Sequence, residues 1–196
     1  MAAPTRTHRT QQERSDATRE LLLDATIECL VELGYGRTTT NEICRRAGVS
    51  RGAQQHHFAN KAELMAKAIE HLVTKLRAQF DNVTVDGVDA AVDQLWHNFS
   101  GTLSTAALEL WVASRTDPEL REAMGPVDRA LGRSVLEGYR ETIESVVETP
   151  DVEAVFWLTV NLTRGLALDA MIGGDPRRRK KLLAEWKRVV RAVYLR

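Results

Sequence analysis

Two cysteines in 196 residues, Cys29 and Cys44, are too few for a disulfide framework, and each falls at an apolar position of a predicted helix. A reduced, cytoplasmic protein is the reading that follows. Long apolar runs are also missing. A membrane-spanning helix needs about 20 apolar residues, and the best stretch, 152–172, is interrupted by Glu153, Asn161, Arg164 and Asp169. Basic residues near the N-terminus have no apolar block behind them before Leu21, which excludes a secretory signal. Net charge is absent as well: 27 basic residues balance 27 acidic ones, which argues against a nonspecific binder of polyanions. Chemical signatures are missing too. There is no metal-spaced histidine cluster and no glycine-rich phosphate loop after a strand. Gly48-Val49-Ser50-Arg51-Gly52 has the outline of a nucleophile elbow, but a capped helix precedes it where the elbow requires a strand. Adjacent His56 and His57 point about 100° apart on a helix and cannot ligate one metal from one face. No enzyme, metal or cofactor is expected.

What remains is an ordinary globular composition, 43% hydrophobic and 28% charged, with length for one or two domains. The charge is distributed unevenly. Between 38 and 61 stand Arg45, Arg46, Arg51 and Lys61 against a single acid, Glu42. A locally basic, globally neutral chain can touch phosphate with one face only.

Residues 1–14 are polar and basic and read as a flexible arm. From Ser15 a helical period begins, with Leu22, Ala25, Cys29 and Leu33 in one row, and Gly34 and Gly36 end it. Thr39-x-x-Glu42 has the form of a capping box and opens a short helix that stops at Gly48. Ser50 caps the next, barely two turns long to about His57, and Asn60-x-x-Glu63 opens a long helix to about Phe80. Two short helices around Gly48-Val49-Ser50 make a helix-turn-helix. Its second helix presents Arg51, Gln54, Gln55 and His56, polar groups long enough to reach base edges in a major groove. Glutamine suits the adenine edge; Arg51 suits guanine or a phosphate.

The run from Gly34 to Ile43, then Ala47-Gly48-Val49-Ser50-Arg51-Gly52-Ala53, His57-Phe58 and Lys61-Ala62-Glu63-Leu64 resembles the DNA-binding domain of the TetR family over 15–80. The resemblance implies an all-α protein with three parts. They are a three-helix DNA-binding domain at 15–60, a connecting helix at 61–80, and a ligand-binding and dimerisation bundle at 81–196. It implies a homodimeric, ligand-released repressor on a palindromic operator in double-stranded DNA, with Thr39, Ser50, Gln55, His56, His57 and Lys61 at positions that touch DNA. Lys61 at a helix N-terminus is a phosphate site on physical grounds too. Arg45 adds a basic candidate; Arg45 and Arg46 also read as a solvated face, and His57 as a residue packed against Phe58. Two departures stand out: Gln54 and Gln55 replace a leucine and an aromatic residue common in the family, and Cys44 stands where alanine is usual.

Beyond a polar link near 81–87, apolar rows mark a helix closed by Gly101 and another around Leu108 and Trp111. Asp117-Pro118 starts a further helix to about Val147, with a possible break at Gly125-Pro126. Residues 152–172 are apolar around the whole circumference, which demands burial on all sides, by the chain's own bundle and by a second subunit. On the last helix Leu182, Trp186, Val189 and Val193 form one row, and Leu183, Val190 and Tyr194 another. The resemblance assigns the homodimer to these last two helices; a monomeric core is the alternative. The basic run 177–181 is expected to fan into solvent. Trp96, Phe99, Trp111, Tyr139, Phe156, Trp157, Thr163 and Arg164 are candidates for a small-molecule effector pocket, since such sites are apolar with a few convergent polar groups. The competing function is a helical small-molecule binder or scaffold without specific DNA binding.

Overall fold

The computed structural model describes residues 10–81, 87–144 and 152–194, and all regular structure in them is helical. The chain runs α1 (Gln11–Leu33), a single 3-10 turn (Tyr35–Arg37), α2 (Thr40–Ala47), α3 (Arg51–His57), α4 (Lys61–Asp81), α5 (Gly87–Phe99), α6 (Thr102–Ala113), α7 (Pro118–Glu144), α8 (Val152–Met171) and α9 (Pro176–Tyr194). Residues 1–9 of the expected arm, 82–86 of the expected link and the expected helix end at Val147 lie outside the described residues.

Helix α1 begins four residues earlier than its apolar period. Thr10 Oγ1 accepts from the Glu13 amide at 3.2 Å and the Glu13 carboxylate takes the Thr10 amide at 2.7 Å, a reciprocal capping box. Residues 11–14 are therefore helix, not arm. Their turn is solvent-exposed and carries no apolar residue, so periodicity could not find it. At α2 the expected box is only half formed: Thr39 Oγ1 accepts from the Glu42 amide, but the Glu42 carboxylate turns to Arg45. Helix α2 ends at Gly48, in the left-handed conformation (φ 67°), with its N–H directed to the Cys44 carbonyl.

Leu22 and Cys29 of α1, Ile43 of α2, Phe58 and Leu64 pack into one core that fixes the angle of α3. Phe58 is 1% exposed, and truncating such a side chain to alanine costs about 3–5 kcal/mol. Helix α4 serves two cores. Leu64 and Ala68 belong to the first, while Met65, Ile69, Leu72 and Leu76 join Ile27, Leu110 and Leu120 in a second core with α1, α6 and α7. The N-terminal unit is thus continuous with the rest of the chain. Arg46 is not a solvated face; it reaches Glu32 at 2.7 Å and clamps α2 to α1.

Helix α7 runs unbroken through Pro126. The carbonyl that a helical proline strands is that of residue i−4, here Glu122, and both residues face solvent, where water can reach it. Helix α8 packs on α5 and α7, α9 on α5, and burial is one-sided. Phe156, Val160 and Leu166 are covered, whereas Leu158 is 56% and Ile172 86% exposed. On α9, Leu183 and Val190 are buried, whereas Leu182, Val189 and Val193 are exposed. Trp186 splits from its expected row: half-buried, it donates from Nε1 to Thr159 Oγ1 at 3.0 Å. The basic run is partly engaged as well. Arg178 pairs with Asp169 at 2.9 Å, and the Arg179 guanidinium lies 5.4 Å from the centre of the Trp96 ring. Among the described residues no helix is long and apolar enough to cross a membrane.

Candidate nucleic-acid interface and effector cavity

Ser50 Oγ accepts from the Ala53 amide at 3.1 Å and starts α3, whose exposed positions Arg51, Gly52, Gln55 and His56 share one face. Arg51 Nη1 donates to Asn41 Oδ1 at 3.0 Å, tying the face of α3 to α2. Arg45 is exposed and paired with Glu42, whose carboxyl is held below its ordinary value first by the Arg45 hydrogen bond. Thr39 and Lys61 are exposed at the starts of α2 and α4.

Gln54 is a correction. It is 3% exposed, and its Nε2 donates to the Phe58 carbonyl at 3.0 Å. The side chain is directed into the core, where it closes the C-terminal end of α3, so it cannot read a base. Gln55, one residue on and about 100° around the helix, is the exposed glutamine. His57 is half-buried beside Phe58; burial first, then His56 and Arg19, push its imidazole below the ordinary value. The shift favours the neutral ring, which offers a hydrogen bond rather than a charge. The first turn of α1 lies beside it: Gln11, Gln12 and Arg14 share an open polar groove with His56 and His57. This neighbour was missed because α1 was read from Ser15; the signal was Thr10-x-x-Glu13.

The turn before α2 is fastened to the C-terminal helices through Tyr35. Its hydroxyl donates to Asp117 Oδ2 at 2.6 Å, its amide donates to Glu109 Oε2 at 3.3 Å, and Lys61 Nζ stands 5.3 Å from its ring centre. Burial, then the Asp117 bond, pushes the phenol up to about 12.

A cavity of about 120 Å³ lies among α4, α5, α6, α7 and α8. Of the eight candidates, Phe99, Trp111, Phe156, Trp157 and Arg164 line it. Trp96, Tyr139 and Thr163 do not. Trp96 packs under Arg179, Tyr139 stacks at 5.2 Å on Phe156 within the core, and Thr163, fully buried, donates to the Thr159 carbonyl at 2.7 Å. Thr163 and Arg164 are neighbours on α8, and the turn of the helix alone separates them. Asn98, Asp128 and Gly132 also line the cavity and were not anticipated. Gly132 makes room for Trp157: a Cβ there would stand 2.8 Å from the indole Cη2. The Arg164 guanidinium lies 5.6 Å from the Phe99 ring centre and 5.3 Å from that of Trp111.

The sequence profile described as "Bacterial regulatory proteins, tetR family" matches residues 22–68, the segment that builds α2, α3 and their support. The HTH-type transcriptional regulator CymR of Pseudomonas putida is 32% identical over 206 residues, covering 95% of each chain. This chain belongs to the TetR family. The TetR-family assignment extends to the whole fold. A transcriptional regulator from Rhodococcus sp. Rha1 superposes with a TM-score of 0.70 at 26% identity, covering 89% of this chain and 95% of that one. The regulator BetI of Escherichia coli (strain SMS-3-5 / SECEC) is 31% identical over 81% of this chain and 84% of its own. This TetR-family protein is accordingly a DNA-binding transcriptional regulator, not an enzyme.

Proposed function

We propose that this TetR-family regulator is a cytoplasmic repressor, a homodimer that holds a palindromic operator through two copies of α3 and releases it when a small molecule enters the cavity. The observation that carries the reading is that Ile69, Leu72, Val73 and Leu76 of α4 form one wall of the cavity, while the same helix begins at Lys61, directly behind α3. A ligand that needs a wider cavity pushes on α4 and so on the recognition unit. The second route runs through Tyr35. Trp111 of the cavity stands two residues after Glu109, and Asp117 caps α7, which carries Asp128 and Gly132 of the wall. An equilibrium shifts only by the ligand's differential affinity for the two states, so the effector must fit the released arrangement better.

The homodimer reading rests on the uncovered apolar faces of α8 and α9. Leu158, Ile172, Leu182, Val189 and Val193 are each at least 36% exposed in the single chain. Exposed apolar residues on two helices that pack together mark an interaction surface, and a two-fold axis through it would set the two α3 helices about 34–36 Å apart, one turn of DNA. Thr39, Arg45, Ser50, Arg51, Gln55, His56, His57 and Lys61 are the proposed contacts. Gln55 reads bases; Lys61 and Arg45 meet phosphates.

Fluorescence anisotropy with a labelled duplex recovered by random-sequence selection tests this at physiological salt. Binding should survive an unrelated competitor duplex. Lys61→Ala should weaken every duplex alike and lower the salt slope by about one. Binding no better than the competitor's would sink the regulator mechanism in favour of a helical small-molecule binder.

A further inference from the structure

The cavity is apolar apart from a few polar groups, and two of those, Asn98 and Arg164, have unused hydrogen-bond donors. Asn98 is 4% exposed; its Oδ1 accepts from Gln94 Nε2 at 3.0 Å, while its Nδ2 is buried and finds no partner. Native proteins rarely leave a buried amide donor unpaired, so a partner in the cavity is expected for it. Among the described residues the carboxylate beside Arg164 is Asp128, its ion-pair partner at 3.8 Å, which is too long for a hydrogen bond and leaves the N–H donors of the guanidinium without one. Asn98 of α5 and Arg164 of α8 both line the cavity, and the Arg164 guanidinium lies against the ring of Phe99, the residue after Asn98.

We propose that the effector is a small organic monocarboxylate with an apolar body the size of one ring, its carboxylate received by Arg164 and the Asn98 amide. The assignment rests on the effector-released reading above. Size bounds the body: an apolar cavity of about 150 Å³ holds benzene, so about 120 Å³ leaves room for no more than a single ring or a branched chain of similar bulk. Charge sets the head group. A carboxylate accepts two parallel bonds from a guanidinium and a third from an amide. A cationic ligand would find the faces of Phe99 and Trp111 already occupied by the guanidinium, and the one carboxylate of the lining, Asp128, already paired with Arg164. A neutral hydrocarbon would leave both donors unpaired.

The test is isothermal titration of the full-length protein with benzoate, toluene and benzylamine at one pH, for the natural chain, Arg164→Gln and Asn98→Leu. Benzoate should bind at least tenfold more tightly than the other two, and each substitution should weaken benzoate at least tenfold while changing toluene binding less than threefold. If toluene or benzylamine matches benzoate, or if benzoate binds Arg164→Gln and Asn98→Leu as it binds the natural chain, the carboxylate assignment fails and the cavity remains an effector site. Failure of all three compounds to bind overturns the assignment but not the effector-released reading, which fails only if compounds that do bind the cavity leave operator affinity unchanged.

Discussion

Gln54 and Gln55 are adjacent and chemically identical, and they should fail in opposite ways. In Gln54→Ala the Phe58 carbonyl loses its 3.0 Å donor. An unsatisfied buried acceptor costs about 1–3 kcal/mol, and the methylene lost from a site 3% exposed adds about 0.8 kcal/mol. The sum, about 2–4 kcal/mol, should lower the melting temperature by roughly 5–15 °C for a chain of this size. Gln54→Leu refills the space and should cost less than Gln54→Ala, in keeping with the leucine common in the family. Gln55→Ala removes an exposed side chain and should stay within about 0.5 kcal/mol of the natural stability. Its effect belongs to DNA, a loss of roughly 1–3 kcal/mol confined to particular bases of the operator. Thermal melts at one fixed protein concentration measure the first effect, since a dimer's melting temperature depends on concentration; anisotropy on a panel of single-base operator variants measures the second. If Gln54→Ala melts with the natural protein and relaxes base preference, the placement of Gln54 in the core is wrong.

Leu158→Glu combined with Val189→Glu should convert a dimer to a monomer in sedimentation velocity without loss of helical circular dichroism. Operator affinity should fall by about 10²–10⁴-fold, the advantage of linking two sites; an unchanged dimer would place the interface elsewhere. Tyr35→Phe removes the hydroxyl that donates to Asp117 and should cost about 1 kcal/mol in urea unfolding, a charged hydrogen bond discounted for its half-exposed site. In the same variant a given effector concentration should release less operator; equal release would remove Tyr35 from the coupling. His57 has a folded-state value below its ordinary 6.5, so the unfolded chain takes up the proton first and stability falls as pH drops through 6.5 toward the folded value. His57→Asn should flatten that part of a melting curve series between pH 7.5 and 5.5, and an identical slope would show that another group titrates there.

Most of the recognition unit was legible along the chain because its determinants are local. Gly48 permits a left-handed turn, and Thr39, Ser50 and Asn60 each cap a helix that starts one residue later; such bonds span only a few residues and leave their mark in the spacing. The start of α1 escaped because its first turn has no apolar residue, although Thr10-x-x-Glu13 spelled out the box. Gln54 escaped for a different reason. Polarity suggested exposure, while the leucine that the family resemblance places there suggested core, and a seven-residue helix has too little period to decide between them.

The sequence by itself determined the all-helical class, the helix-turn-helix and the apolar character of α8 and α9, since capping, turn chemistry and periodicity act within one or two helical turns. Which side of each helix meets which neighbour was decided only by the tertiary structure. Packing sets azimuth, so Arg164 faces the cavity while Thr163 beside it is sealed in the core, and Arg46 and Arg178 find carboxylates 14 and nine residues away along the chain. The same packing decided that Asn98, unremarkable in the sequence, carries its buried, unpaired amide on the wall of the cavity.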